Sequence, residues 1–181
     1  NAFAEITSWP GYSPTPLISL DKLANHCGLA SVFYKDESKR LNMKSFKALG
    51  GAYAVSNLVA GQMAAGIDPK TITVTTATDG NHGRSVAWGA QKAHCRAEIY
   101  IHEHVSEQRA DAMALYGAKI NRINGNYEAS LAACKADAEA NNWHIVSDTS
   151  WTGYREVPCD VMAGYSVMGR ETMDQIGSAR P

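Results

Sequence analysis

The sequence predicts an α/β protein built on parallel β-sheet, and three observations carry that expectation. Short segments of four to six residues rich in β-branched side chains alternate with longer helical ones of ten to sixteen, the pattern of successive βαβ units. The residues best suited to chemistry fall just after the expected strands, at the mouths of the helices that follow, where ligands bind in doubly wound folds. The chain has 181 residues, 45% of them apolar and 19% charged, enough to bury one or two cores and without a composition that signals disorder.

Trp9-Pro10-Gly11 and Pro14-Thr15-Pro16 read as an irregular lead-in, followed by Leu17, Ile18 and Leu20. Ser19 or Asp21 can cap a short helix that Gly28 ends. Ser31 to Lys35 reads as a strand, and a helix opens near Ser45 with Phe46, Leu49 and Tyr53 on one stripe, weakening at Gly61. Thr71 to Thr76 is a strand by its β-branched content. A helix from Asn81 to Ala93 turns Val86, Ala87 and Ala90 inward, and Ala97 to Ile101 is the next strand. Ser106 caps a helix carrying Ala110, Met113 and Tyr116 that stops at Gly117, before a strand over Lys119 to Ile123. Tyr127 to Ala140 is an alanine-rich helix, His144 to Val146 a short strand, and Cys159 to Ile176 a final helix. No repeat, low-complexity segment or long charge block interrupts this order.

The formal net charge of −1 leaves no basic face for nucleic acid. Cys27, Cys95, Cys134 and Cys159 are widely spaced, and free buried thiols are the default reading over a disulfide or metal set. No apolar run approaches 18 residues and no signal peptide is recognisable, so a soluble, cytoplasmic protein is expected, with no membrane partner. The chain starts at Asn1 without a methionine and stops at Ala179-Arg180-Pro181, so both ends could be processing boundaries.

Two stretches carry chemistry. Lys47 lies in the first turn of its helix, where unpaired N–H groups and a partial positive charge disfavour an ammonium ion. Phe46, Leu49, Gly50 and Gly51 surround it with apolar, closely approachable positions, and both pressures suit an amine that forms an imine with an aldehyde cofactor. The plain alternative is a surface lysine whose stem lies along the helix. The second stretch, Thr78-Asp79-Gly80-Asn81-His82-Gly83, follows the Thr71 to Thr76 strand. Thr78 and the N–H groups of residues 80 to 83 can form an anion-binding turn, Asn81 can donate to a phenolate oxygen, and Asp79 can act as a base. An aspartate that caps a helix through an Asx turn is the competing reading.

The pairing of Ser45-Phe46-Lys47 and Gly50 with Thr78, Gly80, Asn81 and His82 resembles fold type II of the pyridoxal-phosphate enzymes. That family includes serine and threonine dehydratases, serine racemase and cysteine synthase. Within it the closer resemblance is to the diaminopropionate ammonia-lyases. It rests on Lys35 to Arg40, Phe46 to Gly51, Thr78 to Arg84, Asp148-Thr149-Ser150-Trp151, Gly153-Tyr154, Val157-Pro158 and Gly164-Tyr165, and runs from about Thr15 onward. Asp79 is the selective feature, since most relatives carry serine or threonine there.

The resemblance implies three-layer parallel sheets, with residues 73–147 as a smaller α/β domain and residues 1–72 and 148–181 as parts of a larger cofactor domain. It implies pyridoxal 5'-phosphate as cofactor, Lys47 as its imine-forming lysine, and Asn81 against its 3-hydroxyl oxygen. Thr78, Gly80 and His82 would seat the substrate carboxylate. Asp79 and Asp148 would be acids on opposite sides of the substrate α-carbon, serving the D and L substrates respectively. A carboxylate in that role is expected to have its pKa raised by burial or by a like charge. The implied activity is elimination of ammonia from 2,3-diaminopropionate to pyruvate, by a homodimer or other homo-oligomer. Another lyase of the same fold type, a non-catalytic ligand-binding domain, and an assembly half active only with a partner are the alternatives.

Two parts of the family pattern, the glycine-rich phosphate loop and the late strand at the pyridine nitrogen, have no counterpart in this sequence. The chain is therefore expected to be an N-terminal half, lacking its C-terminal half or a companion chain and exposing apolar surface where that half would pack. Outside the two stretches, His102 and His104 share a strand end and could ligate a metal, though no third ligand is apparent, so no metal is expected. Arg40 and Arg84 fit ion-pair, carboxylate-steering or ordinary surface roles. Trp151 and Tyr154 fit a pocket lining or aromatic packing.

Overall fold

Four β-branched segments pair as one parallel sheet in the computed structural model, which describes residues 1–177; the last four residues of the expected 148–181 segment lie outside it. The chain order is α1 (Ala2–Thr7), β1 (Leu17–Ser19), α2 (Asp21–Cys27), β2 (Phe33–Lys35), α3 (Lys47–Ala64), β3 (Thr73–Ala77), α4 (Asn81–Lys92), β4 (Arg96–His102), α5 (Glu107–Ala114), β5 (Lys119–Ile123), α6 (Tyr127–Asn141), β6 (His144–Ile145) and α7 (Glu156–Ile176). Strands β1 and β2 form a separate antiparallel pair. The parallel sheet has the order β5-β4-β3-β6.

That order fixes where a ligand can enter. From β3 the chain steps outward through β4 and β5, then returns to place β6 on the other side of β3. Helices α4 and α5 cover one sheet face, where Val74, Ile99 and Ile101 meet Val86, Ala90 and Met113. Helix α6 covers the other, where Ala77 and Tyr100 meet Cys134 and Leu131. The direction of winding therefore reverses between β3 and β6, and a crevice opens beyond their C-terminal ends.

Helix α3 is held between α4 and α7 at backbone distance. A Cβ at Gly51 would stand 2.7 Å from Ser85 Oγ, one at Gly89 2.8 Å from Ala52 Cα, and one at Gly164 2.5 Å from the Leu49 carbonyl oxygen. The small residues of the Lys47 helix are thus contact surfaces on two sides. The expected stripe holds for Leu49 and Tyr53, which are buried, but Phe46 stands half exposed.

Several expectations are corrected. The stretch Trp9 to Pro16 is irregular as expected, but it is preceded by a helix not anticipated, α1, capped by the Asn1 side chain. Neither Ser19 nor Asp21 occupies the cap position of α2, which falls to Leu20 without a side-chain bond. Ser106 does stand at the N-cap of α5, but its side chain makes no capping bond. Helix α3 runs past Gly61 to Ala64. Helix α7 begins three residues earlier than expected, because Pro158 sits within the first turn, where a missing N–H costs nothing. All four cysteines are free, yet only Cys134 is buried, with Cys27 and Cys159 exposed. Exposed apolar side chains do occur on the N-terminal segment, at Ile18, Leu23, Leu29, Phe33 and Tyr34.

Candidate active site

Beyond the ends of β3 and β6 lies an open cavity of about 340 Å³ lined by Lys47, Ala77, Thr78, Asp79, Gly80, Asn81, His82, Tyr127 and Asp148. All seven residues singled out from the sequence meet there, from three separate stretches of chain.

Lys47 is the first residue of α3, its N–H bonded to Ser45 Oγ at 3.2 Å. The backbone leading to it is left-handed at Leu41, Asn42 and Lys44, an arrangement L side chains adopt at a cost. Arg84 Nη1 donates to the Met43 carbonyl at 3.2 Å and so ties this loop to α4. That gives Arg84 a positioning role rather than a surface one. The Lys47 ammonium lies 5.7 and 5.6 Å from the ring centres of Phe46 and Tyr165 and is ion-paired with Asp148 Oδ2.

Asp148 is delivered by the segment after β6. Tyr154 fastens that segment from behind: its hydroxyl accepts from the Ser147 N–H at 2.8 Å and donates to the Ile145 carbonyl at 2.9 Å. Tyr154 stacks on Trp151 with centroids 4.0 Å apart, so this pair supports the Asp148 loop instead of lining the Lys47 cavity. Burial pushes the Asp148 carboxyl up, but His82 and Lys47 outweigh it and hold it below the ordinary carboxylate range. The expected rise is therefore not found at Asp148. His82 is itself driven down by burial, so near neutral pH its ring is uncharged and Lys47 is the cation opposite Asp148.

The turn after β3 is built by Thr78, whose buried hydroxyl oxygen accepts the N–H groups of Gly80 at 3.1 Å and Gly83 at 3.2 Å. Gly83 has to be glycine, since any Cβ there would run into the Thr78 methyl group. His82 Nε2 donates to the Val146 carbonyl at 2.8 Å, tying α4 to the β6 edge, and its Nδ1 lies 3.8 Å from Asp148. The N–H groups of Asn81 and His82, first in α4, have no acceptor within their helix and border the cavity. Thr78 and the His82 ring thus shape the turn, while its backbone N–H groups are what an anion would meet.

Tyr127 was not singled out from the sequence. It opens α6 beyond the end of β5 and faces the cavity; burial raises its phenol, and Asp148 and Asp79 add to the rise. Its position after the Asn126 cap, at the same sheet edge as the other groups, was the signal available. Arg40, by contrast, lies away from the cavity: it is buried and bonded to Glu37 and Glu171. Among the described residues no group of three or more His, Cys, Asp or Glu side chains is placed to hold a metal ion, and the His102 and His104 rings stand edge to face, 5.9 Å apart. Among those residues, too, no helix is long and apolar enough to cross a membrane.

The model of the pyridoxal-phosphate dependent enzyme family matches residues 8–181. A diaminopropionate ammonia-lyase from Escherichia coli is 37% identical over 177 residues, covering 92% of this chain and 44% of that protein. The Salmonella typhimurium protein of the same name is 35% identical, covering 92% and 45%. The crystal structure of the Escherichia coli enzyme in apo form superposes with a TM-score of 0.90 at 37% identity, over 97% of this chain and 50% of that one. The chain spans less than half the length of these curated relatives. With a family match over nearly its whole length and a shared fold at this identity, the chain belongs to the pyridoxal-phosphate dependent enzymes.

Proposed function

We propose that this chain carries the reactive lysine and both acids of a pyridoxal-phosphate-dependent ammonia-lyase. The whole protein converts 2,3-diaminopropionate and one water to pyruvate and two ammonia. The observation that carries the reading is the convergence of Lys47, Asn81, Asp79 and Asp148 on one cavity at the switch point of the sheet.

The residues fit the cofactor's reactive end. Lys47 offers an amine at the cavity wall, and Asn81 an amide beside the open N-terminus of α4. When bound, pyridoxal phosphate supplies an aldehyde for that amine and an electron sink that acidifies the substrate α-proton. Lys47 would anchor the cofactor, Asn81 would be the donor to its ring oxygen, and the turn from Thr78 to His82 would receive the substrate carboxylate. Asp148 and Asp79 stand at different strand ends, after β6 and β3, and each can accept the α-proton from its own side. Residues 73–147 are read as the smaller lobe, in keeping with strands β3 to β6 closing one sheet, and 1–72 with 148–181 as parts of the larger. Homo-oligomeric assembly and a cytoplasmic location complete the reading.

The test is borohydride reduction of the full-length protein with pyridoxal phosphate, followed by peptide mapping and by assay of pyruvate and ammonia from 2,3-diaminopropionate, serine and threonine. Label on Lys47 with preference for diaminopropionate is expected. Label on Lys35 or Lys44, or preference for a hydroxy amino acid, overturns the assignment.

A further inference from the structure

Asp79 is the more exposed of the two acids, its side chain 58% accessible against 24% for Asp148. It borders both the Lys47 cavity and a neighbouring cleft lined by Gly80, Asn81 and Arg109, so an unrestrained carboxylate would divide its time between the substrate side and a guanidinium. A proton acceptor has to stand within hydrogen-bond reach of one particular bond. Among the described residues, no side chain of the Thr78 to Arg84 stretch bonds to the Asp79 carboxylate.

His102, the last residue of β4, is the side chain that comes near it. Ala77 and Tyr100 are the last partners in the register of β3 with β4, so His102 at the end of β4 and Asp79 in the bend after β3 each lie two residues beyond that pair. The His102 ring is mostly buried, and its Nε2 stands 3.2 Å from Asp79 Oδ1. Its other nitrogen, Nδ1, accepts the His104 backbone N–H at 3.2 Å. A ring nitrogen that accepts carries no proton, so in the neutral imidazole the proton sits on Nε2, the nitrogen nearest the Asp79 carboxylate. The turn after β4 sets the tautomer, and the tautomer supplies the donor. Arg109 holds the backbone of the same residue, donating to the Asp79 carbonyl at 3.2 Å.

We infer that His102 is a positioning residue for Asp79, holding its carboxylate toward the Lys47 cavity and away from the Arg109 cleft. The inference rests on the reading of Asp79 as the acceptor for one substrate enantiomer. In the full-length enzyme with its cofactor, His102→Leu should lower kcat on the enantiomer that Asp79→Asn affects, by tenfold to about a hundredfold, the cost of misplacing a reacting group by about 1 Å. KM should stay within about twofold, and kcat on the other enantiomer close to the parent. His102→Gln should recover most of the loss, because its amide can donate from near the Nε2 position. His104→Leu keeps the backbone N–H that sets the tautomer and removes only the edge contact of its own ring, 78% exposed and 5.9 Å from the His102 ring, so its loss should stay well below that of His102→Leu.

A readout independent of activity is thermal unfolding of the cofactor-free protein. The Tm losses of His102→Leu and Asp79→Asn should fall short of adding in the double variant, as expected for groups in contact. Additive losses, or a His102→Leu variant that loses both enantiomers equally, overturn the positioning role. So does an enantiomer-selective loss in Asp79→Asn with none in His102→Leu, and that outcome leaves the role of Asp79 standing. Absence of any selective loss in Asp79→Asn removes the reading of Asp79 itself, and the inference with it.

Discussion

Glu171→Gln removes one of the two carboxylate charges, with Glu37, that let Arg40 be buried, and the structure gives the size of the effect at Glu171. The Arg40 side chain has no exposed surface, and Glu171 is 4% exposed. The carboxylate receives Arg40 Nη1 and Nη2 at 2.7 Å each, Lys35 Nζ at 2.8 Å, the Tyr12 hydroxyl at 2.9 Å and the Thr15 N–H at 3.2 Å. Burial pushes Glu171 up, but the bonds from Arg40, Lys35 and Tyr12 more than offset it, bringing the carboxyl from its ordinary 4.5 to about 2. That difference corresponds to roughly 3 kcal/mol of stability, close to the cost of about 3–5 kcal/mol for removing one partner of a buried pair. Because the folded value is depressed, the contribution is complete above pH 4.5, shrinks as the pH falls below it, and is gone below about 2. The assay is amide hydrogen exchange of the segments that this carboxylate ties together, residues 12–16 and 37–42. At pH 7 their exchange should accelerate about a hundredfold in Glu171→Gln, since each factor of ten corresponds to about 1.4 kcal/mol. At pH 2 parent and variant should nearly coincide. An acceleration below about threefold at pH 7, or one equally large at both pH values, would refute the argument that the charge holds these segments.

Two further outcomes are expected. In the full-length enzyme, Asp79→Asn should lose about 10²–10⁴ in rate on D-2,3-diaminopropionate while keeping most activity on the L form, and Asp148→Asn should do the reverse; steady-state rates on the two enantiomers decide it, and equal losses on both would make the carboxylates orienting groups. Gly164→Ala should lower the unfolding midpoint by an amount equivalent to about 1–3 kcal/mol, since its methyl would press on the α3 backbone at Leu49 and Gly50. Gly169→Ala, in the same helix with nothing within 4 Å of its added carbon, should be neutral or stabilising.

What could be read from the sequence was local, and what could not be read was made by distant contacts. Strand β5 has the expected limits, Lys119–Ile123, because β-branched residues there are bounded by Gly117 and Gly125. Strand β1 was missed because three residues cannot establish a period, and it exists by pairing with β2. The Lys47 and Asp79 stretches were legible because glycines, a short strand and a helix start identify an anion-binding turn within a few residues. Tyr127 was missed, and His102 and Tyr154, though singled out, gave no sign of their partners, since each acts on a residue brought near by the fold. Arg40 illustrates the same limit: the pair with Glu37 is local, three positions away, but the burial comes with Glu171, 131 positions away.

The contacts of Asp148 explain why the carboxylate proposed here as a proton acceptor has its carboxyl held low. Of the influences on it, burial is the largest and acts upward; His82 first and then Lys47, its ion-pair partner, reverse the balance. While the amine is free, the two groups store opposite charges and Asp148 is a poor proton acceptor. Were an aldehyde cofactor to take up the Lys47 amine, that ion pair would be lost, and burial, the largest upward influence, would act on Asp148 with less opposition, in the direction useful for general-base work. Asp79, ion-paired to no lysine or arginine among the described residues, lacks this coupling and depends instead on the strand end that holds His102.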